Sequence, residues 1–284
     1  MERRVSIPLL ALVAILTGRF VLAGPPFLTD DPEPVDYHHW EAYLFTTYDR
    51  SLDATDIQGP ALEFNVGAAP NLQIHLVVPW VENKPRSGMD HSGWGDVELG
   101  VKLRFLEETE NTPQIGIFPM VEFPTGNSSR GLGNGRAWFK VPLWVQKSWG
   151  PWTTYGGGGW VFNHAPGQRD HAFGGWLLQR DLGEKLTLGG EVFAQGAGAV
   201  DGRGSVLANL GGLVHLTPGF SIIFSGGRTI QGERHTVAYL GLYWTWGPKS
   251  EAPRSAGLAL LVSCPRNTLN TSARDRTLPE GLRP

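Results

Sequence analysis

From residue 38 to residue 246 apolar and polar positions alternate with a period of two, the repeat of a β-strand with two unlike faces. In GDVELGVKLRFL (95–106), Val97, Leu99, Val101, Leu103 and Phe105 share one face, opposite Asp96, Glu98, Gly100, Lys102 and Arg104. In NLQIHLVVPW (71–80), Leu72, Ile74, Leu76, Val78 and Trp80 oppose Gln73 and His75. In GRAWFKVPLWVQ (135–146), Ala137, Phe139, Val141, Leu143 and Val145 oppose Trp138, Lys140, Pro142, Trp144 and Gln146. The pattern predicts twelve strands, at about 38–49, 58–68, 71–81, 94–106, 113–123, 136–147, 152–163, 171–181, 185–196, 204–216, 219–229 and 235–246. Each is close to the roughly 9–11 residues that a tilted strand needs to cross a bilayer. No helical periodicity of useful length follows the first two dozen residues.

The connections alternate as well. Every second one is a brief turn: APN (69–71), SWGP (148–151), LGEK (182–185) and TPG (217–219). The others are longer and polar: SLDATDIQ, ENKPRSGMDHSGW, PTGNSSRGLGNG, HAPGQRD and GAVDGRG. Short turns at one end and long loops at the other are the habit of outer-membrane barrels. LEETENTP (106–113) is long for its side and QGER (231–234) short for its own. Alternation within strands does not by itself separate a membrane barrel from a soluble one, because the two differ only in which face meets solvent. Aromatic placement does help: Trp40, Trp80, Trp94, Trp138, Trp149, Trp152, Trp160, Trp176, Trp244 and Trp246 fall mostly near strand ends, where interfacial girdles lie. Glycine pairs such as Gly174-Gly175, Gly189-Gly190 and Gly211-Gly212, and the run Gly156–Gly159, suit a bent, closely packed barrel wall. The expected fold is all-β, a single antiparallel up-and-down transmembrane β-barrel of about twelve strands over residues 38–247.

Composition changes this picture little. The 284 residues carry a net charge of −3 and 18% charged residues, so no basic field argues for nucleic acid. The start reads as an export signal over 1–23: a charged Glu2-Arg3-Arg4, an apolar run, and small Ala23 ahead of the expected cut. The Pro- and Asp-rich residues 24–37 are expected as a periplasmic N-terminal segment without regular structure, and 248–284 as a disordered tail. Cys264 is the only cysteine, so no disulfide framework holds an exported chain together.

The familiar stretches are GPPFLTDDPEPVDYHHWEAYLF (24–45), GWGDVELGVKLRFL (93–106) and FPTGNSSRGLGNGRAWFKVPLWVQKSWGPWTTYGGGGW (123–160). Over nearly all of 24–247 the chain resembles the outer-membrane transporter family labelled by the MetA pathway of phenol degradation. The tail beyond 247 departs from it. The resemblance implies a β-barrel in a Gram-negative-type outer membrane and passage of small, often aromatic or hydrophobic compounds. It brings no catalytic residues.

Candidate lumen residues are Glu63, Asn65, His75, Asp96, Glu98, Lys102, Arg104, Glu122, Lys140, Glu191, Gln195, Asn209, His215 and Arg228, opposite the apolar face. Acids and bases together suggest a lumen crossed by salt bridges, whether these select a solute or only stabilise the interior. No cofactor is expected. His38-His39 point to opposite faces and cannot chelate from one. GNSSRGLGNGR lacks the Lys-Ser/Thr of a phosphate loop and reads as an exposed hairpin loop, and the adjacent Asp90, His91 and Ser92 do not form a triad. The expected partners are outer-membrane lipid, a small-molecule solute and, during biogenesis, the barrel-assembly machinery. A passive channel leads; a lipid-hydrolysing barrel enzyme and a soluble exported β-sandwich binding protein are the alternatives.

Overall fold

The computed structural model describes residues 25–248. The signal (1–23), Cys264 and all but the first residue of the expected tail lie outside the described residues. Fourteen strand segments run β1 (Trp40–Arg50), β2 (Ala54–Ala69), β3 (Leu72–Pro85), β4 (His91–Trp94), β5 (Val97–Leu106), β6 (Gln114–Ile117), β7 (Met120–Phe123), β8 (Trp138–Trp149), β9 (Trp152–Phe162), β10 (His171–Asp181), β11 (Leu186–Gln195), β12 (Ser205–Thr217), β13 (Phe220–Gly232) and β14 (Thr236–Trp246). β4 and β5 form one stave, as do β6 and β7, so the sheet is a closed antiparallel barrel of twelve. Closure is made by β1 on β14, in unbroken register from Trp40 opposite Trp246 to Arg50 opposite Thr236.

The two interruptions have local causes. Pro119 has no N–H to give the ladder and separates β6 from β7. Between β4 and β5, Asp96 turns inward, its carboxylate accepting from the Gly126 N–H (2.7 Å) and the Asn134 N–H (2.6 Å). Those bonds draw the β7–β8 loop into the barrel mouth and bury Leu132 there. The loop expected to be wholly exposed is therefore partly an interior element. The β2–β3 hairpin also stands taller than expected, because Thr55–Gln58 continue the ladder instead of forming a loop. Long and short connections keep their alternation, leaving a loop end and a turn end.

The inward row of each stave is the polar one. On β5, Lys102 is buried while Leu99, Val101, Leu103 and Phe105 are exposed; on β8, Trp144 and Gln146 are buried while Phe139, Val141 and Leu143 are exposed. An exterior this apolar suits acyl chains, and a barrel with no free edge satisfies its backbone without water. Among the described residues no helix is long and apolar enough to cross a membrane. At the turn end Trp40 stacks on Trp246 and Phe220 on Trp244. At the loop end Trp80 meets Trp94 edge to face. Trp138 is not part of a girdle: its indole points inward and donates to Glu122 at 2.8 Å. The glycine run of β9 admits a bulky interior. At Gly157, with φ of 149°, a Cβ would meet the Leu143 carbonyl oxygen at 2.1 Å and the Trp144 ring at 3.0 Å.

Leu143 lies half way along β8 on the outer face. Leu143→Arg is expected to cost about 2–4 kcal/mol, and Leu106→Arg at the end of β5 about 0–1 kcal/mol beyond the loss of the leucine. Urea titrations of the protein folded into phospholipid vesicles measure both.

Candidate functional site

The interior is not lined by the barrel alone. Residues 25–36, expected outside the barrel on the periplasmic side, run through the lumen instead, with Thr29, Asp31 and Pro32 fully buried. Chain polarity explains the correction. The segment carries Asp30, Asp31 and Glu33, and the inner rows of β5, β6 and β8 offer complementary groups. Lys102 Nζ lies 3.0 Å from Asp30 and 3.4 Å from Asp31. Gln114 and Gln146 each donate to Glu33 at 3.1 Å, with Arg104 4.0 Å away. On the far wall the Glu191 carboxylate accepts from the Leu28 and Thr29 N–H groups at 2.9 and 2.8 Å, and Ser225 donates to the Pro26 carbonyl at 2.6 Å. Near β3, the Val35 N–H donates to Gln73 at 2.9 Å.

Inward-facing glycines make the seat. A Cβ at Gly175 would fall 2.1 Å from the Thr29 hydroxyl oxygen, one at Gly67 2.0 Å from the Asp36 carbonyl oxygen, and one at Gly116 3.1 Å from Pro32. Phe27 completes it by packing with buried Tyr155 and Leu177.

Beside this segment a cavity of about 1310 Å³ remains. Its lining reaches from Gln58, Asp96 and Trp138 toward the loop end to Pro151, Lys185 and Pro218 at the turn end. One wall is aromatic: Tyr43 stacks on Tyr243 (centroids 4.5 Å apart) and Phe45 on Tyr239 (5.2 Å). Phe118 and Met120 also line it. The Tyr43 and Tyr243 hydroxyls donate to Glu41, whereas the Tyr239 hydroxyl is buried without a hydrogen-bond partner among the described residues. The other wall is ionic. His75 lies 3.4 Å from Glu63 and 3.1 Å from Glu98, and Lys140 lies 3.6 Å from Glu98. Ten carboxylates and three lysines line the cavity in all.

Comparison with known proteins adds to this geometry. The family described as "Putative MetA-pathway of phenol degradation" matches residues 55–245. The chain belongs to this family. Solved structures that resemble the barrel include the following three. An outer membrane channel from Pseudomonas putida F1 has a TM-score of 0.66 at 15% identity, covering 76% of this chain and 98% of that one. The translocator domain of the autotransporter NalP from Neisseria meningitidis has a TM-score of 0.50 at 10% identity, covering 72% and 88%. The NanC porin has a TM-score of 0.50 at 6% identity, covering 72% and 98%. At such identities the likeness concerns the fold. No curated protein matches the chain significantly.

Of the candidate residues on this family member, Glu63, Asn65, His75, Asp96, Glu98, Lys102, Glu122, Lys140 and His215 line the cavity. Arg104 points inward but is held by Asn71 and Gln114. Glu191 and Asn209 are interior and hydrogen-bonded to each other, beneath the N-terminal segment. Gln195 stands exposed at the loop end of β11. Arg228 is a correction. It follows inward Gly227 and precedes inward Thr229 on β13, so its side chain points out of the barrel and is exposed. The sequence reading missed the aromatic wall and the lumen role of residues 25–36. Tyr43 and Phe45 gave no polar signal against their apolar neighbours, and the segment carries no strand pattern. Among the described residues no cluster of three metal-ligating side chains occurs.

Lys102→Ala leaves Asp30 and Asp31 without their buried cation, a loss of about 3–5 kcal/mol from the seat of the segment. Thr29→Cys in a Cys264→Ser background is a mild probe, since the Thr29 hydroxyl makes no hydrogen bond. A hydrophilic maleimide is expected to react slowly with it in the otherwise native protein and at least tenfold faster once Lys102→Ala is added.

Proposed function

We propose that the chain is an outer-membrane channel through which small solutes, neutral aromatic or hydrophobic ones among them, diffuse down their gradients. The observation that carries this reading is the cavity beside the N-terminal segment, aromatic on one wall and carboxylate-rich on the other, with lining residues at both ends of the barrel. An aromatic solute loses little on leaving water for contact with Tyr43, Phe45, Tyr239 and Phe118. Family membership supports the same reading, as does the likeness in fold to an outer membrane channel. On this reading an export signal is removed near Ala23, the barrel-assembly machinery inserts the chain, and the loop end faces outward.

Liposome swelling with sugars of graded size tests passage. Arabinose is expected to swell protein-containing vesicles faster than protein-free ones, and raffinose not to. Equal rates for arabinose with and without protein would remove the channel reading.

The surplus of carboxylates sets the sign of selectivity, because like charge in a narrow, low-dielectric passage repels. In a planar bilayer with a potassium chloride gradient, the reversal potential is expected to have the sign of potassium selectivity. Glu63→Gln combined with Glu122→Gln is expected to move it toward zero.

A further inference from the structure

A second concavity lies on the outer face of the barrel, remote from the lumen. It has a volume of about 630 Å³ and spans β10 to β14. Its geometry follows from register. Trp176, Val192, Ala208, Arg228 and Thr236 are consecutive partners across five strands. The adjacent row runs Leu178, Gly190, Leu210, Gly226. Large apolar side chains at Trp176, Leu178, Leu210 and Ile230 stand around a floor of Gly190, Ala208 and Gly226. The floor is open: a Cβ built at Gly226 would meet nothing nearer than 4.0 Å.

Two ionisable residues border this apolar trough. Glu191 is buried, its carboxylate bonded on the lumen side to the Leu28 and Thr29 N–H groups and to Asn209, which leaves Arg228, the residue that the sequence placed in the lumen, as the exposed one. It is exposed on the lipid face, in the part of β13 nearer the loop end. Among the described residues no carboxylate lies within salt-bridge distance of it. Arg180, an exposed arginine on β10, lies over the Trp152 ring, 5.0 Å from its centroid. Arg228 has no such partner. A guanidinium on the acyl side of a barrel is costly unless it reaches an anion at the headgroup level. Its planar fork suits a phosphate better than any other group in that layer.

We propose that this trough is a binding site for a phosphate-bearing anionic lipid of the loop-side leaflet, with an acyl chain along the Gly190–Gly226 floor and the phosphate on Arg228. Apolar area and charge act together. The chain fills a groove that a mobile bilayer would otherwise pack imperfectly, and the phosphate supplies the counterion that the protein does not. The site is independent of the solute path.

The test is native mass spectrometry of the full barrel in detergent. Dimyristoyl phosphatidylglycerol, dimyristoyl phosphatidylcholine and inorganic phosphate are titrated separately. The native protein is expected to retain one phosphatidylglycerol, about tenfold more tightly than phosphatidylcholine, the scale of one hydrogen bond to a charged group. Phosphate alone should neither bind nor compete. Arg228→Gln should bring the two lipids level, while Arg180→Gln should leave the preference intact. Gly226→Leu should fill the floor and abolish retention of both. Equal retention of the two lipids by the native protein, competition by free phosphate, or an unchanged preference in Arg228→Gln overturns the proposal. If Gly226→Leu does not give the heat-shifted band of a folded barrel, the Arg228→Gln comparison decides alone.

Discussion

In hydrocarbon an unpaired backbone N–H or C=O finds no water, and every other feature of this molecule follows from that constraint. A sheet escapes it only by closing on itself. Here the closing contact is β1 on β14, eleven residues on each side with no slip in register. Closure then dictates the side chains. Each stave must turn its apolar row outward, and its polar row must face inward whether or not the interior holds enough partners for it. The buried carboxylates, lysines and amides of the lumen are thus a consequence of the backbone problem before they are a device for selecting solutes.

That inner surface is more than the staves can satisfy among themselves. Lys102, Gln73 and Glu191 lie on β5, β3 and β11, and each finds its partner in residues 28–35 rather than only on neighbouring staves. The segment resolves charge and space together. It brings carboxylates to the basic and amide side chains of β5, β6 and β8, and backbone N–H groups to the Glu191 carboxylate. The inward glycines allow it to lie against the wall at van der Waals distance. A buried ion pair such as Lys102 with Asp30 and Asp31 gives little net stability over an apolar alternative, but it fixes position strongly, since any other seat strands a charge. Its role here is positional.

Much of the barrel was legible in the sequence because the governing physics is local. A strand with unlike faces repeats every two residues, so Val97 to Phe105 and Ala137 to Val145 declared their outward rows without reference to any partner. Turn parity added the two ends. The failures are just as physical. Residues 25–36 have no periodicity, and their place depends on Lys102, Gln114 and Glu191, between about 70 and 165 positions away. No local pattern encodes such a pairing. Arg228 was misplaced although it shares parity with Phe220, Ile222 and Phe224, the outward row of β13 opposite buried Ser221, Ile223 and Ser225, so the alternation argued against the assignment. Trp138 was assigned to a girdle by its position near a strand end, yet the strand parity quoted for the same stretch already put it beside Lys140 and Trp144 on the inner face. The two rules disagreed there, and parity was the stronger, because adjacent strand residues cannot share a face.

The eccentric path through the barrel can be understood from the same account. The segment is bonded on one side to Lys102, Gln114 and Gln146 and on the other to Glu191 and Ser225. Its first residues lie against β10, β11 and β13, where Gly175, Gly189 and Ser225 leave room, and Phe27 is buried on Tyr155 and Leu177. The unfilled volume is thereby gathered along β1, β3, β5 and β14. There the inner rows of β1 and β14 carry Tyr43, Phe45, Tyr239 and Tyr243, and inward Gly241 lets Phe45 and Tyr239 close over it, so the remaining passage has rings along one side. The distribution of small and large inward residues around the circumference therefore decides both where the segment sits and what surface is left for a solute.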